Sequence, residues 1–512
     1  MYEQQNYKKL LFWLIIISAL IRAALAAFLD LTNDEVNYWL YGVYPALSYF
    51  DHPPMVGYLI KLTTLNMMFD SELFLRLSSV VLGSINIWLI FLIGRLIKDE
   101  VTGFYAALLY TGSIYFFVIT GIFIQPDTPL VFFWILSIYF LLKVFSQSDK
   151  EKSSKLNLLL AGIAIGLGML GKYQAIYIWV AAIAYIAFYD RKWLKIKELY
   201  FAFLISVVCF LPVIIWNFQN DFISFTFQGE RVDILKSGLK FNYFFTELFG
   251  QIFYNNPVNF ILIVLVLFKI RKANFLSKDK LRFLLLTGLP LMVIFLIFSL
   301  FRRTLPHWSG PGYISMILIA SAYLSEVYKT KKIFIPRFIK TSVLFLVLIL
   351  VFGVLQINYG IFDTSKKSAV MSSELGRNDV TLDMYGWKQA GEKFKILNEK
   401  LITEGKINND APVLAYKWYN AGHIDYYMAN PIGKKVFAWG RLDEIRNYSW
   451  VNKRRGNANN IKEAYYISPS REFKSPEDVF GDTFKNITAV DTMRITRGGR
   501  TVENIFVYVL KK

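Results

Sequence analysis

Cysteine is almost absent from the chain: a single residue, Cys209, stands inside an apolar run. No intramolecular disulfide can form, and neither a cysteine-rich metal site nor a thiol redox motif is available. A phosphate-cradling P-loop pattern is missing as well, as are internal repeats, low-complexity tracts and long flexible linkers. Acids are scarce beside bases, 38 Asp and Glu against 57 Lys and Arg, which leaves a net charge of +19. Such an excess can mark a nucleic-acid binder. Here the cations fall in short clusters between apolar runs, a pattern that membrane topology and anionic lipid headgroups explain better.

What the chain has in quantity is apolar sequence. Of its 512 residues, 55% are hydrophobic and 17% aromatic, and the mean hydropathy is +0.39. Uncharged runs of about 20 residues match the hydrocarbon thickness a helix must cross, so the reading is a polytopic α-helical membrane protein. About eleven transmembrane helices are expected, near 10–29, 73–97, 102–124, 128–145, 157–171, 173–189, 199–216, 257–270, 282–300, 309–328 and 338–358. The first run ends in small residues, ALAA, and is read as an uncleaved anchor rather than a signal peptide.

Charge sets the orientation. With the N-terminus inside, alternate loops hold Lys8 and Lys9; Lys150, Lys152 and Lys155; Arg191, Lys192, Lys195 and Lys197; Arg271, Lys272, Lys278, Lys280 and Arg282; and Lys329, Lys331, Lys332 and Arg337. The opposite loops carry fewer cations, namely Lys61, Lys172, Arg231, Lys236, Lys240, Arg302 and Arg303. Cationic loops translocate poorly, which supports this orientation and puts the segment after the last span outside.

From 359 to 512 the pattern changes to strand-length apolar runs (VLAY, KVFAW, AYYIS, IFVYVL) and one amphipathic stretch, GWKQAGEKFKILNEKL. An RGGR turn at 497–500 predicts a terminal hairpin. The expected division is a transmembrane region over 1–358, with outer loops at 30–72 and 217–256, followed by a small extracytoplasmic α/β domain over 359–512.

Polar exceptions gather on the outer side. The first outer loop, NDEVNYWLYGVYPALSYFDHPP, carries Asp34, Glu35, Tyr38 and His52. QPDTP places Asp127 at a span boundary, where an ionised carboxylate is costly without a partner. GKY contributes Lys172, and FRRTLPHWSGPGY contributes Arg302, Arg303, His307 and Trp308. Each has a plainer role: helix caps for the acids, a rigid turn for His52 before two prolines, a snorkelling Lys172, an interfacial belt for the aromatics. One chemistry uses the set together. A sugar on a polyprenyl phosphate leaves its phosphate as negative charge develops there, and Arg, Lys or protonated His stabilises it. A carboxylate takes the proton from the attacking hydroxyl. A single displacement of this kind inverts the anomeric centre.

NDEVNYWLYGVYPALSYFDHPPMVGYLIKL, QPDTPLVFFW, GLGMLGKYQA and PHWSGPGYI together resemble membrane glycosyltransferases of the GT-C fold, in the bacterial branch related to protein O-mannosyltransferases and lipid A aminoarabinose transferases. The outer segments DMYGWKQAGEKF and LAYKWYNAGHIDYYM fit the same group. The resemblance implies that Asp34 is the essential first-loop acid, with Glu35 beside it, and that Asp127 is the second acidic position. It implies donor-phosphate contacts from His52, Lys172, Arg302, Arg303 and His307, and sugar or acceptor contacts from Tyr38 and Trp308. His52 stands where the aminoarabinose enzymes often carry Lys, and Asn37 where they tend to carry Arg, so that particular specificity does not transfer.

Some relatives use a divalent cation, but two separated acids do not establish a metal site, and no cofactor is assigned. The expected partners are a polyprenyl-phosphate-linked sugar, a lipid, glycan or protein acceptor, and membrane lipids. The resemblance implies the bacterial inner membrane, with the active site extracytoplasmic. The rival reading is a lipid-linked sugar flippase, which needs polar residues through the membrane depth, whereas the inner halves of these spans are mostly apolar. A non-catalytic scaffold that binds glycans or proteins is a further rival.

Overall fold

The computed structural model describes residues 6–146, 151–233, 238–270, 274–329, 334–362 and 372–512. Lys150, Lys236, Arg271, Lys272, Lys331 and Lys332 of the topology reading, and residues 363–371 of the expected outer domain, lie outside the described residues. The chain forms two compact units. One comprises 1–27 with 45–348, the other 28–44 with 349–512. The helix bearing Asp34 therefore groups with the C-terminal segment.

The first unit is helical. Among the described residues of the chain seven helices are long and apolar enough to cross a membrane, or eight if one bent pair is a single span. Two shorter apolar helices, Tyr173–Tyr189 and Gly312–Tyr328, are additional. Two of the expected spans differ in an informative way. The apolar run 102–124 is not one helix: Glu100–Gly112 stops, and a π turn, Tyr115–Ile119, follows. The run 257–270 forms the second arm of a pair, Phe241–Tyr254 and Pro257–Lys269, bent by 101°. Pro257 removes a backbone donor there, and Asn256 caps the second arm through its side chain.

The π turn is held by an arginine inside the first long helix, Tyr7–Phe28. Arg22 is 0% exposed, lies 4.5 Å over the Phe117 ring and donates through Nε to the Phe117 carbonyl at 3.3 Å. A Cβ on Gly121 would sit 2.7 Å from that guanidinium, so the position opposite must be glycine. An intramembrane cation thus serves one carbonyl of the broken helix through its Nε and one aromatic face through its charge.

The second unit contains a five-stranded sheet: β1 (Val413–Tyr416), β2 (Val436–Trp439), β3 (Glu463–Pro469), β4 (Asn486–Arg497) and β5 (Arg500–Lys511). Their spatial order is β2-β1-β3-β5-β4. β1 is parallel to β2 and β3, whereas β5 is antiparallel to β3 and β4. Arg497 pairs with Arg500 across a two-residue turn, and Gly498 and Gly499 both take positive φ, as a tight hairpin requires. The amphipathic helix spans Trp387–Thr403 and buries Ala390, Phe394, Leu397 and Leu401.

Candidate active site

In the first unit the polar exceptions converge. Asp127 opens the helix Asp127–Phe145, where the positive end of the helix favours a carboxylate. It is 2% exposed. The Lys172 ammonium donates to both its oxygens, at 3.1 and 2.9 Å, and the Tyr115 hydroxyl donates to Oδ1 at 2.8 Å. Lys172 reaches it because Gly171 lets the end of helix Lys152–Gly171 lie against Pro129; a Cβ there would be 3.0 Å from the proline ring. Tyr115 is fixed from its other side by Gly310, whose Cβ would stand 2.3 Å from the ring. The π turn, the GKY turn and the PHWSG turn thus meet at one carboxylate.

Two imidazoles face the same group. His52 lies within the fields of Asp51, Lys172, Arg231 and Asp127, and His307 within those of Asp127, Lys172 and Arg231. Enclosure by protein lowers both pKa values to about 4, with the nearby cations adding to the effect and the carboxylates opposing it. Both rings are therefore neutral at pH 7. The expectation allowed Arg, Lys or protonated His as the source of positive charge; a neutral ring offers one N–H, and the positive charge comes from elsewhere.

That charge is in the adjoining cavity. Arg231, Lys240, Arg302 and Arg303 line a space of about 620 Å³, with Glu230 and Asp233 among its walls. Arg231 joins the two regions, its guanidinium lying 4.8 Å over the Trp308 ring, and Arg302 is tied to the Asp233 carbonyl at 2.6 Å. Gln174 donates to the Trp308 carbonyl, Gln228 donates to the Asp51 carbonyl, and Phe50 packs on Phe227 at 4.6 Å. The last two contacts anchor the helix Ile223–Val232, which carries Arg231. Arg231, Lys240 and Tyr115 are functional candidates that residue patterns did not single out. The two cations read as ordinary outer-loop charges, and Tyr115 as one aromatic among many.

Asp34, Glu35 and Tyr38 sit in the second unit, on the helix Asn33–Val43. Asp34 is exposed on its first turn. Glu35, expected as a second catalytic acid, closes a capping box: its Oε2 accepts from the Thr32 backbone N–H at 2.9 Å, while Thr32 Oγ1 accepts from the Glu35 N–H. Tyr38, expected as a sugar contact, is 3% exposed and packs edge-on against Tyr41, because the aromatic face of this helix is its buried face. Among the described residues no three His, Cys, Asp or Glu converge on a metal geometry. Both Asp127 oxygens are already engaged by Lys172, so this donor set does not fit a divalent cation.

The second unit also holds a buried acid whose enclosure outweighs the arginine beside it. Glu503 is 2% exposed, and its Oε1 has no hydrogen-bond partner. Burial pushes its pKa up to about 7, with Asp383 and Asp379 adding to the rise and Arg471 opposing it. The folded state keeps this proton to about pH 7, while an unfolded chain releases it near its ordinary value of 4.5. Stability is therefore full below that value and falls as pH rises through the window up to about 7. Glu503→Gln is expected to remove that slope and to raise the melting temperature at pH 8 by several degrees, measured by thermal unfolding between pH 5 and 8.

Comparison with known proteins now bears on this geometry. The family model for dolichyl-phosphate-mannose-protein mannosyltransferase matches residues 51–216. The structure superposes on that of Cupriavidus metallidurans ArnT bound to undecaprenyl phosphate with a TM-score of 0.64, over 99% of this chain and 98% of that one, at 14% identity. The chain has the GT-C fold. The apo form of the same ArnT gives 0.63 over 98% of both chains at 11% identity. Among curated proteins, the lipid A galacturonosyltransferase RgtD of Rhizobium johnstonii is 21% identical over 305 residues, 57% of this chain and 60% of that protein. The match thus spans less than two thirds of the relative's length. Over part of its length the chain is thus similar in sequence both to the mannosyltransferase family model and to a lipid A glycosyltransferase.

Proposed function

We propose that this protein is an inverting glycosyltransferase that moves a sugar from a polyprenyl-phosphate donor to an acceptor hydroxyl on the extracytoplasmic side of a bacterial inner membrane. The observation that carries the reading is the four-cation cavity beside Asp127, Lys172 and two neutral imidazoles. A lipid phosphate needs positive charge and N–H donors, and this cluster supplies both. The likeness to a GT-C protein crystallised with undecaprenyl phosphate supports the same donor class.

In the proposed step the acceptor oxygen attacks the anomeric carbon, and the bond from that carbon to the phosphate oxygen breaks. The polyprenyl phosphate leaves with the electron pair, stabilised by Arg231, Lys240, Arg302 and Arg303. Asp34 takes the acceptor proton. Asp127 and Lys172 order the donor headgroup, with His52 and His307 donating N–H groups to it and Trp308 flanking it.

The test is label transfer by purified protein in detergent from a panel of polyprenyl-phosphate sugars, with a membrane extract as acceptor. Transfer from one donor establishes the activity, and the labelled product names the acceptor class. Absence of transfer from every donor, together with movement of the lipid across vesicles, would overturn the reading in favour of a flippase. With the donor known, Arg303→Gln is expected to lower kcat/KM by about tenfold or more, the worth of one charge-assisted hydrogen bond, with kcat falling because the leaving phosphate loses a stabilising charge. An unchanged kcat/KM would remove Arg303 from the phosphate site.

A further inference from the structure

We infer that Asn33 and the C-terminal residues Asp383 and His423 form a positioning clamp for Asp34. The inference rests on the reading of Asp34 as the general base.

Asn33 begins the helix Asn33–Val43, one residue before Asp34. Its Nδ2 donates to Asp383 Oδ2 at 2.9 Å, and its Oδ1 lies 2.9 Å from His423 Nε2. The carboxylate can only accept, so it fixes the amide orientation. Oδ1 is then the atom turned to the imidazole, and the proton must sit on Nε2. Both anchors are themselves braced. Asp383 pairs with Arg471 at 2.7 Å, and His423, 0% exposed, stacks on Trp387 with ring centroids 4.2 Å apart and planes 6° from parallel. The amide plane of Asn33 is held from two sides by groups that cannot rotate away.

The rest of the helix repeats the arrangement. Before it, Asp30 accepts from the Trp387 backbone N–H at 3.0 Å and the Leu31 N–H donates to the Tyr427 hydroxyl at 2.6 Å. Along it, Gly422 leaves room for Val36, whose side chain a Cβ would meet at 2.7 Å. Further on, Asn447 binds both Asn37 and Tyr41, and Arg455 donates to the Tyr44 hydroxyl at 3.0 Å. Anchors recur about once per helical turn, so the helix cannot rotate or slide as a rigid rod. Cap hydrogen bonds alone would stabilise a helix without fixing its rotation. The Asn33 amide, one residue from the base, sets the direction in which Asp34 projects. Displacement of a reacting group by about 1 Å costs on the order of 100-fold in rate.

The experiment measures kcat, donor KM and melting temperature for Asn33→Ala, Asp34→Asn and Asp379→Asn. Asp379 is the control: it forms a more deeply buried ion pair with Arg497 in the same unit. The clamp predicts that Asn33→Ala lowers kcat by about tenfold to 100-fold, with KM within about threefold of wild type. Asp379→Asn is expected to lose as much thermal stability while keeping kcat. If kcat falls in proportion to stability in both variants, or Asn33→Ala retains kcat within about twofold, the clamp is overturned. Should Asn33→Ala not fold, His423→Gln is compared with His423→Leu. Glutamine keeps an N–H donor and should retain more kcat than leucine; equal rates overturn the clamp. Wild-type activity in Asp34→Asn would instead overturn the assignment of the base, a separate outcome.

Discussion

Asp34→Asn is expected to lower sugar transfer by about 10²- to 10⁴-fold, the usual contribution of a general base, while leaving the fold intact. Asparagine keeps the shape of the side chain and one carbonyl oxygen but cannot take a proton at neutral pH. The residue is exposed on the first turn of its helix, where the loss of a charge near the helix N-terminus costs about 0.3–1 kcal/mol. Rate and stability should therefore separate clearly. Glu35→Gln supplies the contrast. A glutamine carbonyl still accepts from the Thr32 N–H, so the capping box survives and transfer should stay within a few-fold of wild type. Equal losses in the two variants would mean that both carboxylates act in the chemistry. Full activity in Asp34→Asn, measured by label transfer at saturating donor, would remove Asp34 from it.

The same pair of residues shows what sequence can and cannot disclose here. Thr32-Asn-Asp-Glu35 carries a capping-box pattern, so the capping role of Glu35 is legible locally, whereas nothing local separates it from Asp34 as an acid. The sheet and hairpin of the second unit were legible for a local reason. VLAY, KVFAW and RGGR encode strand and turn within a few residues, and β1 begins and ends where its apolar run does. Asp127 and Lys172 stood out because ionisable groups at span boundaries need partners. Their actual partnership did not, since 45 residues separate them. The break after Gly112 falls at the short polar interruption Thr111-Gly112-Ser113, and the fit of Arg22 against Phe117 marks the π turn that follows. The assignment of 28–44 to the second unit was beyond local pattern altogether. It depends on contacts such as Asn33 with His423, 390 residues apart.

Lys172→Met is expected to destabilise the first unit by roughly 3–5 kcal/mol, because it leaves the Asp127 carboxylate buried with the Tyr115 hydroxyl but without its cation. The larger part of that loss is the desolvated charge, not the vanished attraction. The double variant Lys172→Met/Asp127→Asn should therefore recover most of the stability, since a neutral amide can still accept from Tyr115 and no ion remains without a counterion. Thermal or denaturant unfolding in detergent measures both. If the single variant is as stable as wild type, water reaches the carboxylate and the pair is not a desolvated one. Activity then separates structure from function. A double variant that folds as well as wild type yet transfers no sugar would show that the pair orders the donor headgroup. One that folds and transfers normally would make it a membrane-boundary brace, leaving Arg231, Lys240, Arg302 and Arg303 to hold the phosphate alone.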